Sequence, residues 1–124
     1  MSLPKPTPSE LEMLRLLFAL GPATARQVHE AAVETRPEMQ YATVLRLLQV
    51  MHTKGLLNRD ESQRAHVYSP VEQQDSIQTS LLKDLIHKAF AGSGKDLVMA
   101  ALRGHVSKKE REEIQRILNS GDKP

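Results

Sequence analysis

Four times in this chain a Ser or Thr is followed three positions later by Glu or Gln: Thr7-Pro8-Ser9-Glu10, Thr24-Ala25-Arg26-Gln27, Ser69-Pro70-Val71-Glu72 and Ser107-Lys108-Lys109-Glu110. In such a tetrad the hydroxyl accepts from a first-turn amide, and the Glu or Gln accepts from the amide of the capping residue. Two donors that a helix start leaves orphaned are satisfied together. Pro8 and Pro70 fall at the first helical position, where a missing N–H costs nothing. A chain punctuated this way is expected to be built mainly from short helices. Aromatics are 3% of the 124 residues and Trp is absent, so the core must be aliphatic, which suits packed helices better than a large sheet.

The apolar spacing fills in the elements. Leu11, Leu14, Leu17 and Phe18 recur at helical period until Gly21-Pro22, and Val28, Ala31 and Ala32 mark a short second helix that ends before Pro37. The stretch Gln40–Lys54 predicts a third helix, with Val44, Leu47, Leu48 and Met51 facing a core and Gly55 as a left-handed cap. The link "GPAT" between the first two helices is expected to be a plain connection. Two short segments, about Leu56–Asp60 and Arg64–Ser69, flank the polar tip Glu61-Ser62-Gln63 and predict a hairpin. Helix, helix, helix, hairpin is a helix-turn-helix followed by a wing.

Beyond Pro70 the pattern is helical again. Leu81, Leu82, Leu85, Ile86 and Phe90 lie on one helix, Leu97, Val98 and Leu102 on the next, and Ile114, Ile117 and Leu118 on the last. These helices carry more apolar face than they can bury among themselves. A second copy of the chain is the economical cover, since two-fold dimers are the commonest oligomers. The expected fold is mainly α with a small β-hairpin: a winged helix-turn-helix followed by dimerisation helices. The expected domains are residues 1–70 for DNA binding, with 1–6 a flexible arm, then 71–120 for dimerisation and 121–124 a flexible tail.

The third helix carries the functional signal. Gln40–Lys54 contains no Asp or Glu in a chain that has 15. The second helix of a helix-turn-helix enters the major groove, its leading residues toward the base edges. Gln40 suits adenine, and Tyr41 can reach a phosphate. Thr43 offers a hydroxyl to phosphate or base and a methyl to thymine, and Arg46 offers a bidentate fork to guanine or a clamp on phosphate. A carboxylate there would face the phosphates. Arg59 and Arg64 flank the wing tip and suit adjacent phosphates. The rival expectation is a protein-interaction module that reuses the scaffold without specific DNA binding.

Other chemistries find little support. With no Cys, disulfides and thiolate metal sites are excluded. "MSLPKPTP" lacks the apolar run of a secretory signal, and no stretch approaches a membrane span, so a soluble, cytoplasmic chain is expected. "AGSGKD" fails as a phosphate loop because Ala89 and Asp96 stand where Gly and Ser or Thr are required. His29, His52, His66, His87 and His105 have no close paired spacing, so no metal is expected. Neither a cofactor nor a catalytic set of nucleophile and base is recognisable. The net charge of +2 is too small to specify a partner, so any polyanion surface must come from local placement.

Three stretches together resemble the penicillinase/methicillin-resistance repressor family, the BlaI/MecI/CopY type of bacterial winged-helix regulators. They are "PTPSELEMLRLLFALGPATARQVHEAA", "QYATVLRLLQVMHTKGLLNR" and "RAHVYSPV". The most specific positions are Tyr41-x-Thr43-Val44-x-x-Leu47-Leu48, Lys54-Gly55-Leu56-Leu57 and Arg64-Ala65-x-x-Tyr68-Ser69-Pro70. The resemblance implies a homodimeric repressor on double-stranded DNA at inverted repeats, often of TACA/TGTA kind, relieved by an inducer or upstream sensor. There are departures. Leu45 stands where the family often has Lys, Arg46 where Thr is common, and Gln63 where Gly often precedes the wing arginine. Antibiotic-sensing members are cut at an Asn-Phe bond, and Ala100-Ala101 occupies the matching place, so that release route is not expected. Copper-sensing members use a Cys cluster that this chain lacks.

Overall fold

A computed structural model describes residues 5–121. The proposed arm at 1–6 and tail at 121–124 therefore lie largely outside the described residues. The chain forms two compact units, Met1–Ile77 and Gln78–Pro124.

The first unit contains α1 (Pro8–Leu20), β1 (Ala23–Thr24), α2 (Ala25–Ala32), α3 (Tyr41–Thr53), β2 (Leu57–Asp60) and β3 (Val67–Pro70). Each of the first two capping boxes starts a helix. The Thr7 hydroxyl accepts from the Glu10 amide at 3.2 Å, while Glu10 Oε1 accepts from the Thr7 amide at 3.0 Å. Thr24 and Gln27 repeat the exchange at 3.2 and 2.9 Å. Gly21 and Gly55 take positive φ (81° and 86°), so the chain leaves α1 and α3 in turns that side chains with a Cβ rarely adopt.

The core lies between Met13 and Tyr68. Met13, Leu14, Leu17, Val28, Val44, Leu48 and Met51 are wholly buried, with Ala23, Ala32, Met39, Leu57 and Tyr68 around them. Expected core residues Leu11, Phe18 and Leu47 pack on it partly exposed. Glu10 is the one buried charged side chain among the described residues. Its Oε1 also receives Lys54 Nζ at 2.7 Å, which ties the start of α1 to the end of α3.

Two sequence expectations fail here. The tetrad at Ser69 starts no helix: Ser69-Pro70 is the end of β3, paired with Asn58 and Leu57, and α4 begins only at Gln74. Backbone pairing to β2 outweighs a local capping preference. The "GPAT" link is also not plain. Ala23 and Thr24 pair antiparallel with Tyr68 and Val67, giving a three-stranded sheet of order β1-β3-β2 in place of an isolated hairpin.

The rest of the chain forms α4 (Gln74–Ala89), α5 (Gly94–Gly104) and α6 (Lys108–Ser120). The fourth capping box starts α6, with Ser107 and Glu110 exchanging bonds of 3.1 and 2.9 Å, and Ser93 caps α5 through the Asp96 amide at 3.0 Å. After α4 the chain turns left-handed at two successive residues, Ala91 (φ 51°) and Gly92 (φ 86°). An Arg111 guanidinium nitrogen donates to the Leu102 carbonyl, joining α6 to α5. None of the three helices buries a residue. No helix among the described residues is long and apolar enough to cross a membrane.

Candidate nucleic-acid interface

The turn between α2 and α3 is held at several points. Arg36 reaches Glu12 on α1 at 2.6 Å and Glu38 at 3.4 Å. Those two carboxylates raise the Arg36 pKa further above its ordinary value, Glu12 first. His29 on α2 places Nε2 at 2.9 Å from the Met39 carbonyl oxygen. A carbonyl only accepts, so the proton sits on Nε2. The same ring meets Tyr41 edge-on, with centroids 6.0 Å apart. His29 thus fixes both the last turn residues and the first side chain of α3. The sequence offered no local signal for it, because its partners are ten or more positions away.

The α3 helix buries Val44, Leu48 and Met51 and turns its remaining faces outward. Gln40, Tyr41, Thr43 and Arg46 are all exposed. Gln40 is the N-cap, and its side chain makes no capping bond. The first-turn amides therefore have no side-chain cap, and no acid lies near them on the helix, which leaves the positive end of the helix dipole uncompensated. Arg46 has no carboxylate partner among the described residues.

The wing arginines differ. Arg59 is anchored, its Nε and Nη2 each 2.7 Å from Glu61 Oε2. Glu61 first, then the Tyr68 hydroxyl, raise the guanidinium's pKa, and Arg59 in turn holds the Glu61 carboxyl below its usual range. Asp60 caps the tip by accepting from the Ser62 amide at 2.9 Å, and that bond lowers its pKa. Arg64 is exposed and has no acidic partner among the described residues.

A concavity of about 350 Å³ lies between these parts, lined by Thr24-Ala25-Arg26, the Tyr41, Leu45 and Gln49 flank of α3, Arg64-Ala65-His66 and Tyr68. Every ionisable group on its wall other than the two tyrosines is basic. A second concavity, about 300 Å³, is lined by Gln27, Glu30, Glu34 and the α1–β1 corner, and is acidic. The basic and acidic faces of the first unit are thus separate. Sequence reasoning missed Arg26. It sits inside the Thr24 capping box, where the pattern draws attention to Thr24 and Gln27, and only β1's pairing brings it beside the wing. Among the described residues no three His, Asp or Glu side chains gather as a metal site.

The sequence pattern of the penicillinase repressor family matches residues 6–120. The transcriptional regulator BlaI of two Mycobacterium tuberculosis strains, CDC 1551 and H37Rv, is 31% identical over 97 residues, spanning 78% of this chain and 70% of the relative. A MarR family protein from Bacillus stearothermophilus shares the fold, with a TM-score of 0.51 and 18% identity over 92% of this chain and 71% of that one.

Proposed function

We propose a mechanism for a chain that belongs to the penicillinase repressor family: two copies, joined through α4–α6, set two α3 helices into successive major grooves of an inverted repeat. Membership makes the chain a DNA-binding transcriptional repressor with a winged-helix fold, and not an enzyme. The observation that carries the finer reading is the exposed, acid-free leading half of α3. Gln40, Thr43 and Arg46 stand free, and Tyr41 is exposed against the edge of His29, on a helix whose opposite face is locked into the core. Arg46 reads a base edge, while Tyr41 and Arg64 take phosphates. Arg59 acts chiefly by holding Glu61.

Dimerisation follows from what α4–α6 leave uncovered. Leu82, Leu85, Val98, Met99 and Leu118 are each 45% exposed or more, and a monomer would present them all to water. The dimer sets the α3 pair about 34 Å apart, one duplex turn. It acts in the cytoplasm, blocks polymerase at a resistance- or stress-type promoter, and is released by an inducer or upstream sensor.

The test is a gel shift against genomic fragments at stated salt. One class of fragment containing an inverted repeat should be preferred over bulk DNA. Arg46→Ala should cost on the order of 1–3 kcal/mol on that fragment and relax preference at one base pair per half-site. If no fragment is preferred, the chain is an interaction module on a winged-helix scaffold instead.

A further inference from the structure

We propose that Arg26, Arg64 and His66 form one seat for a single backbone phosphodiester of duplex DNA. The proposal rests on the repressor reading above and adds Arg26 and His66 to its contacts. Arg26 comes from the first turn of α2 and the other two from the chain entering β3, yet all three line the same concavity of about 350 Å³. Two guanidinium groups on one wall repel each other, and a fold usually relieves this with a carboxylate. None lines this cavity, and neither arginine has an ionic partner among the described residues. The wing carboxylate Glu61 is not part of the lining: it is held by Arg59 at 2.7 Å and senses His66 only through a weaker charge attraction, which leaves the two arginines without a counter-ion. The missing negative charge must come from outside.

The cavity wall says which anion. Tyr41 and Gln49 line it from the flank of α3. An anion seated there lies directly beside the exposed reading face of that helix. Backbone phosphates bordering a groove occupied by a helix lie at that helix's flanks, and contacts to them fix register without reading sequence. A phosphodiester of the bound duplex therefore fits the position better than a free anion.

The test has two arms. On a short mixed-sequence duplex, Arg26→Ala should make the slope of log affinity against log salt shallower by about 0.9. The wild type's advantage should shrink about 3-fold for each fourfold rise in salt. Arg26→Lys should restore most of it, and circular dichroism should show an intact fold, as Arg26 is exposed. On the fragment preferred in the gel shift, single neutral methylphosphonate linkages are then placed along each strand. One linkage per half-site should weaken the wild type several-fold, while Arg26→Ala and Arg64→Ala both become less sensitive at that same linkage. Different linkages for the two variants, or an unchanged salt slope for Arg26→Ala, would overturn the shared seat while leaving Arg46 and the repressor reading intact. If inorganic phosphate at constant ionic strength displaces DNA from the wild type but not from Arg26→Ala, the seat belongs to a free anion and the proposal fails. If the wild type prefers no fragment, the repressor reading falls. The seat then stands or falls on the salt slope alone.

Discussion

The residues up to Tyr68 and the three helices after them solve the folding problem in opposite ways. The first region closes its own core, and the leading half of α3 shows solvent chiefly the polar Gln40, Thr43 and Arg46, with Tyr41 beside them and Val50 exposed farther along. In the second, α5 and α6 start on side-chain caps as well formed, but no side chain of the three helices is buried and the exposed positions include Leu85, Val98 and Leu118. Helices of 11 to 16 residues are marginal alone in water, and caps add only about 1 kcal/mol each. One region is finished by its own sequence and keeps its surface for a ligand. The other leaves its apolar side chains uncovered, and if a second copy covers them, as proposed, its stability should depend on protein concentration where the first does not.

That contrast can be broken most sharply at Leu85, 49% exposed on α4. Leu85→Glu would place an unpaired charge twice in the proposed two-fold interface, each copy costing about 3–5 kcal/mol if fully buried. Sedimentation should show a monomer at concentrations where the wild type is paired. A dimer that survives would mean the face lies elsewhere. Leu48→Ala is the counterpart in the closed core. Leu48 is wholly buried, and its loss should cost about 2–5 kcal/mol in urea unfolding, equally at every protein concentration. A concentration-dependent loss would show that the first region also leans on a partner.

A smaller effect tests how the closed region fastens its reading helix. Burial opposes ionisation of Glu10, but the Lys54 ammonium and the Thr7 amide and hydroxyl outweigh it, and its pKa falls below the ordinary 4.5. A folded pKa lowered this way stabilises the fold above the unfolded value, and the benefit is lost as pH falls through the folded one. Glu10→Gln should therefore cost about 1–3 kcal/mol at neutral pH, with the gap from wild type closing in acid below pH 4.5. A gap that stays constant to low pH would mean that the Lys54 contact contributes nothing.

The parts legible in the sequence were those set by local chemistry. Three of four capping tetrads start helices, because each needs only its own four residues. The fourth failed because its Ser69 and Pro70 are claimed by a strand partner about a dozen residues upstream, which no local pattern reports. β1 escaped for the same reason: a two-residue strand has no period, and only Tyr68 and Val67 make it one. At the site, the exposed side chains of α3 could be read from helical spacing. Arg26 in the basic cavity and His29 behind Tyr41 could not, since each depends on segments brought together by the fold, whereas the Arg59–Glu61 pair, two residues apart, lay within local reach.

The finest comparison sets one motif against itself. Thr7–Glu10 and Ser107–Glu110 make the same reciprocal pair of bonds, 3.2 and 3.0 Å in one and 3.1 and 2.9 Å in the other. Removing either hydroxyl should thus cost its helix about the same, roughly 1 kcal/mol. What differs is where that loss registers. α1 buries Met13, Leu14 and Leu17 in its own core, so Thr7→Ala should lower unfolding stability by that amount at any concentration. α6 buries nothing, so Ser107→Ala should hardly move the unfolding of the first region. It should weaken pairing instead. With the loss counted once in each of two subunits, the dimer dissociation constant should rise some 30-fold, the equivalent of about 2 kcal/mol. Should Ser107→Ala lower stability independently of concentration and leave the dissociation constant alone, α6 would be held by its own chain, and the two regions would not differ in the way their burial implies.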